Sequence, residues 1–318
     1  MKVIYLCDNE KNIRDVYCVS DKVYTKSDVL NCPELFKDTE YIFSTWGMPV
    51  FSEEEIKEYF VSLKAVFYGA GTVQFFARPF LNLGIKVFSA WAANAVPVAE
   101  YTVSQIVLAN KGFFATMRFT DLFKATSTYK KYPGNYNVKI GIIGAGMIGK
   151  LVINMLKSYK VQVLVFDPFL PDEKALELGV EKVSLDIIFK ECQVVSNHLA
   201  NNEQTRGMLC GKHFESMLPF STFINTGRGA QVVEEDLIRT LKSRPDITAL
   251  LDVTYPEPPA SDSELYTLKN CILTPHIAGS SNNEVRRMGK YMEEEYESLV
   301  NNKPCKYEVS LEMLKTMA

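Results

Sequence analysis

The sequence predicts an α/β protein with a doubly wound parallel sheet in each of two domains, and three observations carry that prediction. Short apolar runs alternate with helical patterns along nearly the whole chain. One run, Val138 to Ile143, ends in Gly144-Ala145-Gly146-Met147-Ile148-Gly149 and passes into a helical pattern. The 318 residues, 47% of them hydrophobic, are enough to bury two cores.

In chain order, Met1-Lys2-Val3-Ile4-Tyr5-Leu6 reads as a first strand rather than a secretion signal. Glu40 to Ser44 reads as a strand, Ser52 as the N-cap before Glu53-Glu54-Glu55, and Leu63 to Tyr68 as the next strand. That strand runs into Gly69-Ala70-Gly71-Thr72, whose amides suit an anion-binding nest, although glycine clusters more often mark plain turns. Leu83 to Ser89 gives a further strand, Trp91 to Pro97 an irregular connector, and Val98 to about Met117 a long helix. The domain boundary falls in that connector: residues 1–96 with 281–318 form one domain and 97–280 the other. Tyr132-Pro133-Gly134-Asn135-Tyr136 breaks the chain before the glycine-rich unit. Strand-like runs then recur at Gln162 to Phe166, Gln193 to Ser196, Ser221 to Asn225, Thr248 to Asp252 and Ile272 to Thr274. The last helical pattern, Ser281 to about Asn302, carries Val285, Met288, Met292, Tyr296 and Leu299 on one face and returns to cover the first domain.

The glycine turn carries the functional argument. Gly144 permits a tight turn, Gly146 lets backbone approach a pyrophosphate, and Gly149 lets the helix pack closely. The N–H groups at the helix start, around Met147 and Ile148, face the phosphates. Ile148, Leu151, Val152, Met155 and Tyr159 recur at helical spacing and define the face to be buried. Asp167 ends the following strand, 18 positions beyond Gly149. A carboxylate there accepts from both ribose hydroxyls and repels a 2′-phosphate, which selects NAD over NADP.

Composition excludes other classes. A net charge of −3 with both signs scattered points to no nucleic-acid or membrane surface, and no apolar run has the length of a bilayer span. A soluble, cytoplasmic protein is expected. Seven cysteines, without CxxC pairs, read as reduced and mostly buried thiols, with no metal site indicated.

Three strand ends collect the polar chemistry: Asn225-Thr226-Gly227-Arg228-Gly229, Asp252-Val253-Thr254-Tyr255-Pro256-Glu257-Pro258, and Thr274-Pro275-His276-Ile277-Ala278-Gly279. Ligands of open parallel sheets bind beyond such ends. Reducing a 2-keto acid needs a forked cation for the carboxylate, a proton donor near neutral pKa, and a carboxylate to orient it. Arg228, His276 and Glu257 match those roles. Of the other histidines, His198 also follows a strand, whereas His213 reads as a surface group inside the helix Gly211 to Met217.

On these motifs, with Val98-Ala99-Glu100, the chain resembles the D-isomer-specific 2-hydroxyacid dehydrogenases, the family of phosphoglycerate, D-lactate and glyoxylate or hydroxypyruvate dehydrogenases. The resemblance implies two Rossmann-like domains, the nucleotide-binding one inserted in a smaller flavodoxin-like substrate domain. It implies NAD as cofactor, a small 2-keto or 2-hydroxy acid as substrate, and a homodimer joined through the nucleotide domains. It further implies that Arg228 binds the carboxylate and carbonyl, that His276 is the acid/base with Glu257 as partner, and that Asp252 contacts the nicotinamide carboxamide. Thr226 would reach the cofactor through its backbone, and the amides of Ala70, Gly71 and Thr72 would bind the substrate carboxylate.

The chain departs from the family where Val73-Gln74-Phe75-Phe76 replaces Asp-Asn-Ile-Asp, where Ala200 replaces a proline, and at Trp46-Gly47-Met48, which suggests an apolar wall for the substrate, although a tryptophan and phenylalanines more often belong to the core. No extra arginine or lysine cluster for a phosphate-bearing substrate is evident. The alternative on the same fold is an NAD(H)-sensing, corepressor-like binding protein, which would keep the same residues without turnover.

Overall fold

The computed structural model describes residues 2–117 and 119–315. The chain forms two compact units, Met1–Ala95 with Ser280–Ala318, and Val96–Gly279.

The first unit is built on β1 (Val3–Leu6), β2 (Val23–Tyr24), β3 (Tyr41–Ser44), β4 (Ala65–Tyr68) and β5 (Lys86–Ser89). These strands are parallel, and a short strand, Glu308–Val309, pairs antiparallel with β5. The order β2-β1-β3-β4-β5 places a topological switch between β1 and β3. Every residue of β3 and β4 is buried, as expected for parallel strands covered on both faces. Alternating side chains feed two cores. Ile42, Val66 and Tyr68 pack with Phe76 and Phe80 in one; Phe43, Phe67 and Phe88 pack in the other, with ring centroids 5.0 and 4.9 Å apart. Ser52 caps its helix with a reciprocal capping box to Glu55.

The closing helix, Val285–Val300, buries Val285, Met288 and Met292 and packs Tyr296 and Leu299 against the second core, the face its periodicity predicts. It lies against the helix Glu10–Tyr17. A Cβ at Gly289 would sit 2.2 Å from the Val16 carbonyl oxygen, so only glycine permits this approach.

The second unit carries β6 (Tyr136–Ile143), β7 (Lys160–Phe166), β8 (Glu181–Lys182), β9 (Val194–Asn197), β10 (Thr222–Asn225), β11 (Thr248–Leu251) and β12 (Cys271–Leu273). All pair in parallel. Their order, β12-β11-β10-β9-β6-β7-β8, is doubly wound with its switch between β6 and β9. The fold class is the one the sequence predicts. No helix among the described residues is long and apolar enough to cross a membrane.

Several local expectations need correction. Trp91 to Pro97 is not an irregular connector, because one helix runs from Trp91 to Asn110 with Pro97 inside it. An interior proline costs a helix about 3 kcal/mol, and burial of Ala93, Ala95, Val98 and Ala99 opposes that cost here. The same helix stops short of Met117, where Gly112 turns left-handed at φ +70° before the short helix Phe113–Thr116. In the helix Met147–Leu156 the fully buried stripe is Gly149, Val152, Ile153 and Leu156, one position round from the predicted face. Ile148, Leu151 and Met155 flank it partly buried, and Tyr159 lies beyond the helix end, exposed. Of the cysteines, Cys7, Cys192 and Cys271 are buried, Cys210 and Cys305 intermediate, and Cys18 and Cys32 exposed; all are free thiols. Val73 and Phe76 are core residues rather than pocket lining, as is Met48, whereas Phe75 and Trp46 are exposed.

Candidate active site

The nucleotide side of the second unit is shaped by the three glycines. Gly144 adopts φ +91°, and a Cβ there would press on the His198 backbone at 2.9 Å. Gly146 is the N-cap of the helix Met147–Leu156, with no side chain capping it. The first-turn N–H groups, those of Met147 and Ile148 among them, are therefore without intrahelical acceptors. Nothing lies within 4 Å of a Cβ built on Gly146, so the space in front of the helix start is open. Asp167 closes the turn: its Oδ2 accepts from the Ala145 N–H at 2.7 Å and its Oδ1 from the Phe169 N–H at 2.8 Å. Each carboxylate oxygen keeps a second acceptor direction for a ribose hydroxyl. The turn, the uncapped helix and the half-satisfied acid fit a dinucleotide.

The polar groups at the ends of β10, β11 and β12 are tied together. Asn225 Oδ1 accepts from the Gly227 N–H at 3.1 Å, and Asn225 Nδ2 donates to the Arg228 carbonyl at 3.3 Å. Asn197 Nδ2 donates to Asn225 Oδ1 at 3.0 Å and to Gln231 Oε1 at 2.5 Å. Gln231 Nε2 donates to the Leu199 and Ala200 carbonyls, 2.9 Å each. Asn197 and Gln231 are fully buried, and sequence reasoning missed both. The signal for Asn197 was a polar residue closing an apolar strand, where an unpaired amide would be costly; Gln231, in the turn after β10, carried none. Gly229 packs so closely on the next strand end that a Cβ would meet the Thr254 backbone at 2.0 Å. Arg228, half-buried, donates from Nη1 to the Gly227 carbonyl at 2.8 Å, leaving its other N–H donors for an anion. Burial lowers its pKa from the ordinary value, and the Glu257 charge opposes that fall.

His276 Nδ1 lies 2.6 Å from Glu257 Oε1, and both side chains are accessible. The residue is left-handed, at φ +54°, a conformation that costs a non-glycine residue about 1 kcal/mol. Asp252 holds it there. The Asp252 carbonyl accepts from the His276 N–H at 3.1 Å. Its carboxylate accepts from Thr274 Oγ1 (2.6 Å), Ile277 N–H (2.9 Å) and Ala278 N–H (2.9 Å). Asp252, expected at the nicotinamide, is thus buried and engaged in fixing the histidine loop.

Thr226 is buried, with its Oγ1 3.2 Å from Thr102 Oγ1 and 3.4 Å from His198 Nδ1. His198 also meets Ser196 Oγ at 2.9 Å, and burial pushes its pKa down to about 3. It is a neutral structural group at neutral pH. The expectation that His213 is a surface group is wrong: it is 4% exposed. It packs on Phe189 with ring centroids 5.2 Å apart and accepts from the Cys210 N–H at 3.2 Å.

In the first unit, the Ala70 carbonyl accepts from Ser89 Oγ and the Ala90 N–H, and the Gly71 carbonyl accepts from Ser89 Oγ. These bonds fix one side of the Ala70-Gly71-Thr72 turn. Trp46 is 40% exposed.

His198 carries a pH prediction. In the unfolded chain an imidazole titrates near its ordinary value of about 6.5, and in the folded chain at about 3. Between those values the unfolded state binds the extra proton, so stability falls as pH drops through that window. Thermal or urea unfolding from pH 7 to pH 4 will show the native chain losing on the order of 2–3 kcal/mol more than His198→Asn. Parallel pH dependences would refute the assignment.

A doubly wound unit with an open glycine turn and a terminal acid defines a dinucleotide-binding protein, and its strand ends carry an arginine and a histidine–carboxylate pair. Comparison with known proteins is consistent with that class. The model of the D-isomer specific 2-hydroxyacid dehydrogenase NAD-binding domain matches residues 112–278. The chain belongs to this family, and its second unit is the family's NAD-binding domain. YoaD of Bacillus subtilis, provisionally named a 2-hydroxyacid dehydrogenase, is 33% identical over 208 residues, covering 62% of this chain and 59% of YoaD. The D-3-phosphoglycerate dehydrogenase of Archaeoglobus fulgidus is 29% identical over 230 residues, covering 72% of this chain and 43% of that protein. The chain thus spans about half the length of these relatives. An NAD-complexed D-isomer specific 2-hydroxyacid dehydrogenase from Lactobacillus delbrueckii ssp. bulgaricus shares the fold, with a TM-score of 0.78 at 19% identity, covering 98% of this chain and 100% of that one. The apo D-mandelate dehydrogenase of Rhodotorula graminis aligns with a TM-score of 0.78 at 20% identity, covering 97% of each chain.

Proposed function

We propose that the protein is an NAD-dependent D-2-hydroxyacid dehydrogenase working as a 2-keto acid reductase. The observation that carries this is the 2.6 Å His276–Glu257 pair on a loop pinned by Asp252, beside Arg228. NADH, when bound, supplies the hydride. Gly144, Gly146, Met147, Ile148, Gly149 and Asp167 hold the cofactor, with the Thr226 backbone and the remaining acceptor capacity of Asp252 toward the nicotinamide end.

Arg228 takes the substrate carboxylate through two parallel bonds and places positive charge at the carbonyl oxygen. The amides of Ala70, Gly71 and Thr72 are further carboxylate donors, and Trp46 a wall for the substrate body. Glu257 occupies Nδ1 of His276, which leaves Nε2 as the atom that gives its proton to the developing alkoxide. Oxidation of the hydroxy acid runs the same proton back to Nε2.

The family reading also proposes a cytoplasmic homodimer. Its support is an apolar surface on the second unit, where Leu122 and Phe123 are 82% and 83% exposed. A Leu122→Glu/Phe123→Glu variant will shift the mass in light scattering from dimer to monomer; an unchanged mass refutes this interface.

The test of the activity is NADH consumption by purified protein against glyoxylate, hydroxypyruvate, pyruvate, and branched and aromatic 2-keto acids. Turnover of at least one is expected. Tight NADH binding with no turnover across the panel would overturn the reading.

A further inference from the structure

The first unit holds a cavity of about 430 Å³, of whose lining the reading above uses Trp46 alone. It lies between the helix Glu10–Tyr17 and the start of the closing helix, lined by Lys11, Asn12, Arg14, Asp15, Trp46 and Arg286. Lys11 and Asn12 follow β1 and Trp46 follows β3, so the cavity stands at this unit's own topological switch point. That is where an open parallel sheet forms its ligand crevice. The sequence showed no such cluster, because its cations come from helices more than 270 residues apart in the chain.

The charges around it are not all spent. Arg14 is satisfied by Glu10, from Nη2 at 2.6 Å and Nε at 3.2 Å, and by the Val19 carbonyl at 2.7 Å. Lys11 and Arg286 are exposed and, among the described residues, have no ion-pair partner. Asp15 is the one carboxylate on the lining, so the two free cations outweigh it. Trp46 is held outward by its backbone. Its carbonyl accepts from Asn12 Nδ2 at 2.7 Å and Cys7 Sγ at 3.2 Å. Gly47 follows at φ +102°, where a Cβ would press on Cys7 Sγ at 3.0 Å. A tryptophan ring is ordinarily well covered, whereas this one is 40% exposed on a fixed turn beside two unpaired cations.

We propose that this cavity binds a small organic acid, its anionic group held by Lys11 and Arg286 and its apolar body laid on the Trp46 ring. Arginine and lysine together suit a phosphate or carboxylate approached from two sides. The indole face selects for a ligand with carbon next to that charge, over a bare inorganic anion.

The chain has two tryptophans, so Trp91→Phe leaves Trp46 as the sole indole emitter. Titration of that variant, excited at the red edge of the indole band, uses phenyl phosphate and inorganic phosphate as probes. Calorimetry on the native chain repeats the reading without the Trp91 change. Phenyl phosphate is expected to shift the Trp46 emission saturably and to bind at least about tenfold more tightly than inorganic phosphate, with Lys11→Met/Arg286→Met weakening it about tenfold or more. The proposal is overturned if neither probe binds, if the double variant binds undiminished, or if inorganic phosphate binds as tightly as phenyl phosphate. The measurement needs neither NADH nor turnover, so its failure and a failure of the dehydrogenase reading are separate results.

Discussion

His276→Asn will keep NADH affinity and lose about two to four orders of magnitude in 2-keto acid turnover, the usual worth of a positioned general acid. Asparagine is the informative replacement because it tolerates the left-handed backbone that His276 adopts at φ +54°, so the loop keeps its shape while the proton donor is lost. Alanine would mix the chemical loss with backbone strain. Glu257→Gln will cost less, since the imidazole stays in place with a neutral partner in the position now 2.6 Å from Nδ1. Steady-state kinetics with the best keto acid, beside a fluorescence titration of NADH, separates binding from chemistry. If His276→Asn turns over within a few-fold of the native chain, the proton comes from another group and the acid/base assignment fails.

The fold was legible because its signals are local. Apart from the two-residue edge strands Val23–Tyr24 and Glu181–Lys182, which the sequence did not announce, each parallel strand is a short run rich in apolar residues, each glycine of Gly144–Gly149 has a steric reason, and the closing helix shows its buried face by spacing. The Arg228, Glu257 and His276 set was legible as strand-end residues. What holds that set was not. Beyond the cofactor contact read for it, Asp252 makes three carboxylate bonds, to Thr274, Ile277 and Ala278, and these depend on where β12 ends beside β11. Asn197 and Gln231 meet across β9, β10 and the turn after it, a register that no single segment encodes. His213 failed for a related reason: polarity suggested the surface, but packing on Phe189 and the Cys210 amide give its ring an inward place. Trp46 reversed the ordinary expectation in the other direction, because Gly47 and Asn12 fix its backbone with the ring exposed.

Two alanine substitutions in the same turn will separate folding from cofactor binding. At Gly149 an added Cβ would stand 2.0 Å from the Gly144 carbonyl oxygen and 3.0 Å from its carbon. Those are backbone atoms of a turn that is itself fixed, Gly144 N–H donating to the Phe166 carbonyl at 2.8 Å. Relief requires the helix Met147–Leu156 to move off β6, which disturbs the packing of Val152, Ile153 and Leu156 in the core. Gly149→Ala will therefore destabilise the protein by about 2–4 kcal/mol and weaken NADH binding as the turn opens. Gly146 has φ −69°, an ordinary value for any residue, and a Cβ there meets nothing within 4 Å. Gly146→Ala will melt within a few degrees of the native chain, since losing a glycine N-cap costs at most about 1 kcal/mol. Its methyl group, however, occupies the space through which the pyrophosphate must reach the helix amides, so NADH affinity will fall about ten- to a hundredfold. Thermal melts with NADH titration on both variants decide the matter. A Gly149→Ala protein as stable as the native chain would contradict the close packing, and normal NADH affinity in Gly146→Ala would place the pyrophosphate elsewhere than at the start of this helix.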